Sequence, residues 1–213
     1  MKTLTKELQF AITPKAAVEI LKEGNNRFVN NNKADRNLLE QVSDTAAGQY
    51  PFAVVLSCID SRTSSELIFD LGIGDVFNAR IAGNIVNEDI LGSMEFACKA
   101  AGSKLIVVLG HTKCGAVKGA CDSVELGNLT ALLSKIKPAV NAETSVTENR
   151  TSANGDFVEK VASLNVRMAV NNIMSQSPIL KEMIDNGEIG IVGGVHDIST
   201  GKVSFYEDTL IAN

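Results

Sequence analysis

The sequence contains no tryptophan, and only 5% of its 213 residues are aromatic. It also has only four cysteines and two histidines. So few cysteines in a chain of this length argue against a disulfide framework and favour metal or thiol chemistry. Because there are two histidines, any function of an imidazole must fall on one of two positions.

Basic charge is not in excess either. The sequence has 20 lysines and arginines against 25 acidic residues, a formal net charge of -5, which gives no basic field for nucleic acid. The first residues lack the long apolar core of a signal peptide, and no apolar run approaches the ~20 residues needed to cross a bilayer. We therefore expect a cytoplasmic protein without nucleic-acid or membrane partners.

The remaining composition is that of a globular protein, with 45% hydrophobic and 21% charged residues. The length predicts a single domain, 1–213, that needs no disulfide or metal merely to fold. Apolar runs alternate with helical patterns, which indicates an α/β fold with a mainly parallel central sheet flanked by helices. The predicted strands are 52–57, 76–80, 104–110, 188–195 and 202–206. A turn signal at 199–201 predicts that the last strand is an antiparallel edge strand.

The first 48 residues are predicted to form a helical arm ahead of a metal-binding core, 49–213. Thr13 followed by Pro14 is a helix-start signal, and residues 38–48 predict a second short helix. Further helices are predicted at 64–70, 87–102, 116–121, 126–136, 157–174 and 178–187. The polar tract 141–154 is predicted to lack regular structure.

Reactive side chains follow two of the predicted strands. Cys58, Asp60 and Arg62 come directly after the first strand, and His111 and Cys114 come after the third. Open α/β sheets keep their ligands at the carboxyl ends of strands. Two thiolates and one imidazole suit zinc, and three protein ligands leave the fourth tetrahedral position open, as in catalytic zinc sites.

These motifs, in this order, resemble the β-class carbonic anhydrases. The resemblance covers the chain from about Gln49 to the final hairpin, and rests on Cys58-x-Asp60-x-Arg62, Arg80-x-x-Gly83-Asn84, Ser93-Met94-Glu95-Phe96-Ala97 and His111-x-x-Cys114-Gly115. It implies a lyase, carbonate dehydratase, in which zinc-bound hydroxide attacks carbon dioxide to give bicarbonate and a proton. It also implies one Zn²⁺ per chain, held by Cys58, His111 and Cys114, and a homodimer or homotetramer in which the helical arm lies across the partner subunit.

Asp60 and Arg62 are the catalytic residues that the resemblance implies. Asp60 would orient the hydroxide, and the planar fork of Arg62 would hold Asp60 off the metal. If Arg62 releases it, Asp60 becomes the fourth metal ligand. The family is known for both arrangements, and the sequence leaves open which of them this chain adopts.

The resemblance also implies three substrate-binding residues. Gln49 would hydrogen-bond the substrate, Phe77 would form an apolar wall, and the Gly115 backbone N–H would bind a developing bicarbonate oxygen. Phe96 stands where plant-type members have a tyrosine, so this chain lacks a hydroxyl at that position.

The other two cysteines and the second histidine are expected to be structural. Cys98 falls on an apolar helix face, Cys121 lies two helical turns beyond Cys114, and His196 has no partner motif. Two alternative functions remain open. One keeps the fold and the zinc but acts on COS or CS2, and the other is a non-catalytic zinc or redox-sensing protein with reactive thiols.

Overall fold

The computed structural model describes residues 2–212, and the apolar run before Cys58 lies at the centre of its sheet. The strands are β1 (Ala53–Ser57), β2 (Val76–Arg80), β3 (Leu105–His111), β4 (Gly190–His196) and β5 (Val203–Ile211), in the spatial order β2-β1-β3-β4-β5. The first four strands are mutually parallel, and β5 pairs antiparallel with β4. The mainly parallel sheet and its antiparallel carboxy-terminal edge strand are confirmed.

Helices cover both faces of the sheet. They are α1 (Lys6–Ala11), α2 (Pro14–Val29), α3 (Leu38–Thr45), α4 (Ser65–Ile68), α5 (Glu88–Glu95), α6 (Gly115–Cys121), α7 (Gly127–Ser134), α8 (Lys137–Ala142), α9 (Gly155–Gln176) and α10 (Pro178–Asp185). Every residue of β1 and β3 is buried, as expected for central parallel strands with helices on both sides. Alternate residues of these strands contribute to two apolar clusters, one that includes α9 and α10 and one that includes α2.

The amino-terminal helices divide between the core and the surface. In α2, the side chains of Ala17, Val18 and Leu21 are at most 2% exposed and belong to the same apolar cluster as Val55. Buried Asp70 fixes this helix further, because Arg27 Nε lies 2.6 Å from Asp70 Oδ2. The apolar side chains of α1 and α3, by contrast, are largely exposed.

Five segments differ from the sequence prediction or refine it. Helices α1 and α8 were not predicted, although Thr5 caps α1 through its side chain. The helix predicted over 87–102 ends in a π-helical turn, Phe96–Ala100. Strand β5 continues to Ile211, beyond the predicted end at residue 206. The polar tract is irregular beyond Ala142, as predicted, but it is held in place because Arg150 donates hydrogen bonds to backbone carbonyl oxygens, among them that of Val146.

Among residues 2–212, no helix is long and apolar enough to cross a membrane.

Candidate metal centre

Parallel pairing brings the two reactive loops to one edge of the sheet. Ser57 at the end of β1 lies opposite Leu109 of β3, so the chain after each strand leaves on the same side. The side-chain ligand atoms of Cys58, His111 and Cys114 all lie within 4.8 Å of one another, and all three residues are buried. The structure therefore brings together the three side chains that the sequence predicts as metal ligands.

The geometry of these three side chains fits a tetrahedral metal ion. The Cys58 and Cys114 sulfurs are 4.0 Å apart, against about 3.8 Å for two thiolates on one tetrahedral zinc with Zn–S bonds of about 2.3 Å. His111 Nδ1 is 2.9 Å from the Thr112 carbonyl oxygen, which orients the ring. His111 Nε2 is buried and has no hydrogen-bond partner among residues 2–212, as expected of a nitrogen that binds a metal.

Backbone amides and mutual repulsion set the charge state of the two thiols. The Gly83 N–H donates to Cys58 Sγ at 3.3 Å, and the hydrogen bond with Cys114 lowers the pKa of Cys58 to about 4. The same Cys58 sulfur, together with burial, raises the pKa of Cys114, although the Ala116 and Val117 amides at the start of α6 oppose this. A cation bound between the sulfurs would allow both to be thiolates.

Asp60 and Arg62 form a bidentate ion pair at the rim of this cluster. Arg62 Nε is 2.9 Å from Asp60 Oδ1, and Arg62 Nη2 is 2.7 Å from Asp60 Oδ2. These hydrogen bonds hold the pKa of Asp60 well below its usual range, so the carboxyl group is ionised. Asp60 Oδ2 lies 3.9 Å from His111 Nε2. In this structure Asp60 is therefore held by Arg62, next to the three ligand atoms but outside their group.

Arg80 at the end of β2 holds the loop that carries this pair. Its Nε donates to the Cys58 carbonyl oxygen at 3.1 Å, and its Nη2 donates to the Asp60 carbonyl oxygen at 2.6 Å. This role of Arg80 was not predicted from the sequence, in which Arg80 is part of the motif Arg80-x-x-Gly83-Asn84. Its place directly after a strand that pairs with β1 was the signal that could have identified it.

The three predicted substrate residues lie in different places. Gly115 follows Cys114 directly and begins α6. Gln49 lies beyond the amino end of β1, opposite the end that carries Cys58, and lines a groove of about 790 Å³. Phe77 lies on β2, with its ring centroid 6.1 Å from that of Phe96. Within one chain, neither Gln49 nor Phe77 reaches the thiol cluster.

The residues expected to be structural are all buried. Burial raises the pKa of Cys98 to about 12, and neither Cys98 nor Cys121 belongs to the group of three ligands. His196 is closer to the site than its sequence context indicates, because it pairs with His111 in the sheet and contacts Thr63.

A buried Cys-His-Cys cluster at the carboxyl edge of a parallel sheet, with an ionised carboxylate beside it, defines a metal-dependent α/β enzyme. Residues 53–203 match the family model described as carbonic anhydrase. The chain belongs to the carbonic anhydrase family, in its β class. Its activity is that of the family, the reversible hydration of carbon dioxide to bicarbonate and a proton.

Similar proteins cover most of the chain. Carbonic anhydrase 2 of Mycobacterium tuberculosis is 34% identical over 195 residues, which are 89% of this chain and 91% of that protein. The β-carbonic anhydrase CafA of Aspergillus fumigatus is 26% identical, with a TM-score of 0.71 over 91% of this chain and 90% of its own. A β-carbonic anhydrase of Sordaria macrospora, described as tetrameric, is 26% identical, with a TM-score of 0.68 over 78% of this chain and 85% of its own.

Removing any one of the three ligands should remove the metal. We expect about one metal ion per chain in the purified protein, and strong loss of it in Cys58→Ala, His111→Ala and Cys114→Ala, because two ligands hold a divalent ion poorly. Cys98→Ala and Cys121→Ala are the matched controls and should keep it. Elemental analysis against protein concentration gives the answer, and full metal content in one ligand variant would exclude that residue from the site.

Proposed function

We propose that the chain binds one Zn²⁺ through Cys58, His111 and Cys114 and uses it, with Asp60 and Arg62, to hydrate carbon dioxide. The observation that carries this proposal is the convergence of two sulfurs and an unpartnered imidazole nitrogen beside an ionised carboxylate. Zinc, when bound, would lower the pKa of a water molecule so that hydroxide is available for attack on carbon dioxide near neutral pH.

Asp60 orients the nucleophile in this proposal. Its Oδ2 lies 3.9 Å from His111 Nε2, and it can accept the hydrogen of the attacking group. Both carboxylate oxygens also accept hydrogen bonds from the Arg62 guanidinium. Asp60 could therefore become a metal ligand only by breaking at least one of these charge-assisted bonds. We propose that the paired state is the active one and that the state with Asp60 on the metal is inactive.

Gly115 provides room and a donor for the product. A β-carbon built at this position meets no atom within 4 Å, so packing of the protein does not require a glycine here. The neighbouring Ala116 and Val117 amides donate to the Cys114 sulfur, which favours its thiolate form. We propose that the Gly115 N–H binds a bicarbonate oxygen and that the absence of a side chain lets the anion approach.

Gln49 and Phe77 can reach a metal centre only in another copy of the chain. We propose one domain, 1–213, that forms a homodimer or homotetramer, with Gln49 and Phe77 of the partner subunit completing the substrate pocket. Exposed apolar side chains on the arm support self-association, since Phe10 is 80% and Leu39 is 82% exposed. Phe10 also lines the groove that contains Gln49.

The Asp60–Arg62 pair can be tested apart from metal binding. Asp60→Asn and Arg62→Ala should keep the metal but lower the rate of carbon dioxide hydration by about one to several powers of ten, the range for a lost orienting or proton-handling group. Stopped-flow assays with zinc quantified would show this. Asp208→Asn is the matched control, because Arg167 of α9 holds Asp208 of β5 in the same bidentate way and neither residue lies in a loop that carries a metal ligand. Wild-type rates in both dyad variants would contradict the mechanism.

Gly115→Ala separates substrate approach from folding. The open space at Gly115 means that the variant should fold, bind metal and keep its thermal stability. The added methyl group should nevertheless lower kcat/KM for carbon dioxide by about tenfold or more, because it occupies space proposed for the anion. Stopped-flow kinetics and a melting curve on the same sample decide this. Unchanged kinetics in a stable variant would remove Gly115 from the substrate pocket.

Mixed oligomers test the shared pocket. Gln49→Ala and Cys114→Ala are each expected to be impaired alone, but a mixed dimer has one complete site, in which the metal of the first chain meets Gln49 of the second. Random mixing would restore about a quarter of the sites in a twofold dimer. Mixing Cys58→Ala with Cys114→Ala is the control, since neither chain then holds all three ligands. A Gln49→Ala and Cys114→Ala mixture no more active than its parents would refute the shared pocket.

A further inference from the structure

His196, at the end of β4, has a buried side chain that contacts the active-site loop. It is 3% exposed, and its Nδ1 lies 3.3 Å from the hydroxyl oxygen of Thr63, which is fully buried. Strand β3 lies between β4 and β1 in the sheet. Because neighbouring strands are about 4.8 Å apart, this contact links loops from strands roughly 10 Å apart.

Thr63 fixes the turn that carries Asp60 and Arg62. It follows Arg62 directly, and its N–H donates to the Asp60 carbonyl oxygen at 3.0 Å. The Arg62 N–H in turn donates to Asp60 Oδ1 at 3.0 Å. The backbone from 60 to 63 is therefore a closed turn, and the Thr63 hydroxyl joins this turn to the His196 ring at the end of β4.

The backbone of His196 supports the other half of the centre. The Thr112 N–H donates to the His196 carbonyl oxygen at 3.0 Å. The Thr112 carbonyl oxygen then accepts from His111 Nδ1 at 2.9 Å, the contact that aims His111 Nε2 at the two sulfurs. His196 thus contacts the neighbours of both His111 and Asp60, through its backbone in one case and its ring in the other.

We propose that His196 is a positioning residue, whose hydrogen bond to Thr63 keeps the Asp60–Arg62 pair at a fixed place relative to the three metal ligands. The inference rests on the function proposed for that pair. It assigns a role in the site to a histidine that the sequence alone marks as structural.

The alternative support for the turn lies on its other side. Arg80 of β2 donates hydrogen bonds to the Cys58 and Asp60 carbonyl oxygens. Without the His196 ring, the Thr63 hydroxyl would lose a partner inside the protein, a state that costs free energy and favours rearrangement of the turn. Burial lowers the pKa of His196, which favours the neutral form of the ring.

Paired variants separate the effect of losing the hydrogen bond from the effect of changing the size of the side chain. Thr63→Val removes it while nearly preserving volume, and His196→Phe removes it while keeping a planar aromatic ring. His196→Asn and Thr63→Ser preserve it, because an asparagine amide places a nitrogen or oxygen near the position of Nδ1 and serine keeps the hydroxyl. Thr209→Val is the control for loss of a buried threonine hydroxyl, since the Thr209 hydroxyl on β5 accepts from the Gly193 N–H and donates to the Tyr206 carbonyl oxygen.

The zinc-loaded variants are compared by stopped-flow carbon dioxide hydration and by crystal structures. We expect His196→Phe and Thr63→Val to keep full zinc content but to lose about 10- to 100-fold in kcat/KM, the usual scale for groups that orient a metal site's residues. The double variant should be no worse than the poorer single one, because both remove the same bond. His196→Asn, Thr63→Ser and Thr209→Val should stay within about threefold of wild type. In the Thr63→Val crystal structure, the Asp60–Arg62 pair should have moved relative to the three metal ligands.

Wild-type rates in zinc-loaded Thr63→Val, with the Asp60–Arg62 pair unchanged in its crystal structure, would overturn the inference even if His196→Phe failed to fold. Equal impairment of His196→Asn and His196→Phe would also overturn it, because a lost bond should be rescued by asparagine. If the wild-type zinc protein did not hydrate carbon dioxide, the proposed function would fail. The position of Asp60 in the Thr63→Val crystals would still test the hydrogen bond separately.

Discussion

The contact between two buried sulfurs 4.0 Å apart, which would repel each other if both were ionised, is the constraint on which the rest of the site depends. Both can be thiolates only if positive charge lies between them, so the pair selects a divalent cation. Backbone amides also stabilise the thiolate forms, although more weakly than a cation would. The Gly83 amide bonds the Cys58 sulfur, and the first amides of α6 bond the Cys114 sulfur. The parallel register of β1 and β3 is what brings the two sulfurs, 56 positions apart in the chain, to one place.

Two thiolates cancel the charge of a divalent zinc ion, so they leave a weaker Lewis acid than neutral ligands would. The neighbouring carboxylate then has large consequences, because the same charge that orients a nucleophile would also bind the metal if it were free. In this structure Arg62 donates hydrogen bonds to both carboxylate oxygens of Asp60, so neither oxygen is free to bind a metal. Arg80 from β2 and His196 from β4 hold the loop from either side. We therefore propose that activity depends on where the Asp60 carboxylate is held.

The sequence was sufficient to predict the features that depend on residues close together in the chain. A cysteine or histidine directly after an apolar strand must lie at the strand's carboxyl end, so Cys58, His111 and Cys114 could be predicted to meet. The sheet's parallel strands and antiparallel edge strand were predicted for the same reason. The contact of His196 with Thr63 depends on register across an intervening strand, and the role of Arg80 depends on which carbonyl oxygens its side chain reaches. Gln49 shows a further limit, because its proposed site belongs to another copy of the chain.

The most direct test is stopped-flow hydration of carbon dioxide by the wild-type protein, with zinc quantified on the same sample. We predict a hydration rate that scales with zinc content up to about one ion per chain. We also predict that the rate is lost on chelation and returns on adding zinc. A protein with full zinc content and no hydration above the buffer rate would contradict the assignment of this cluster as the catalytic centre.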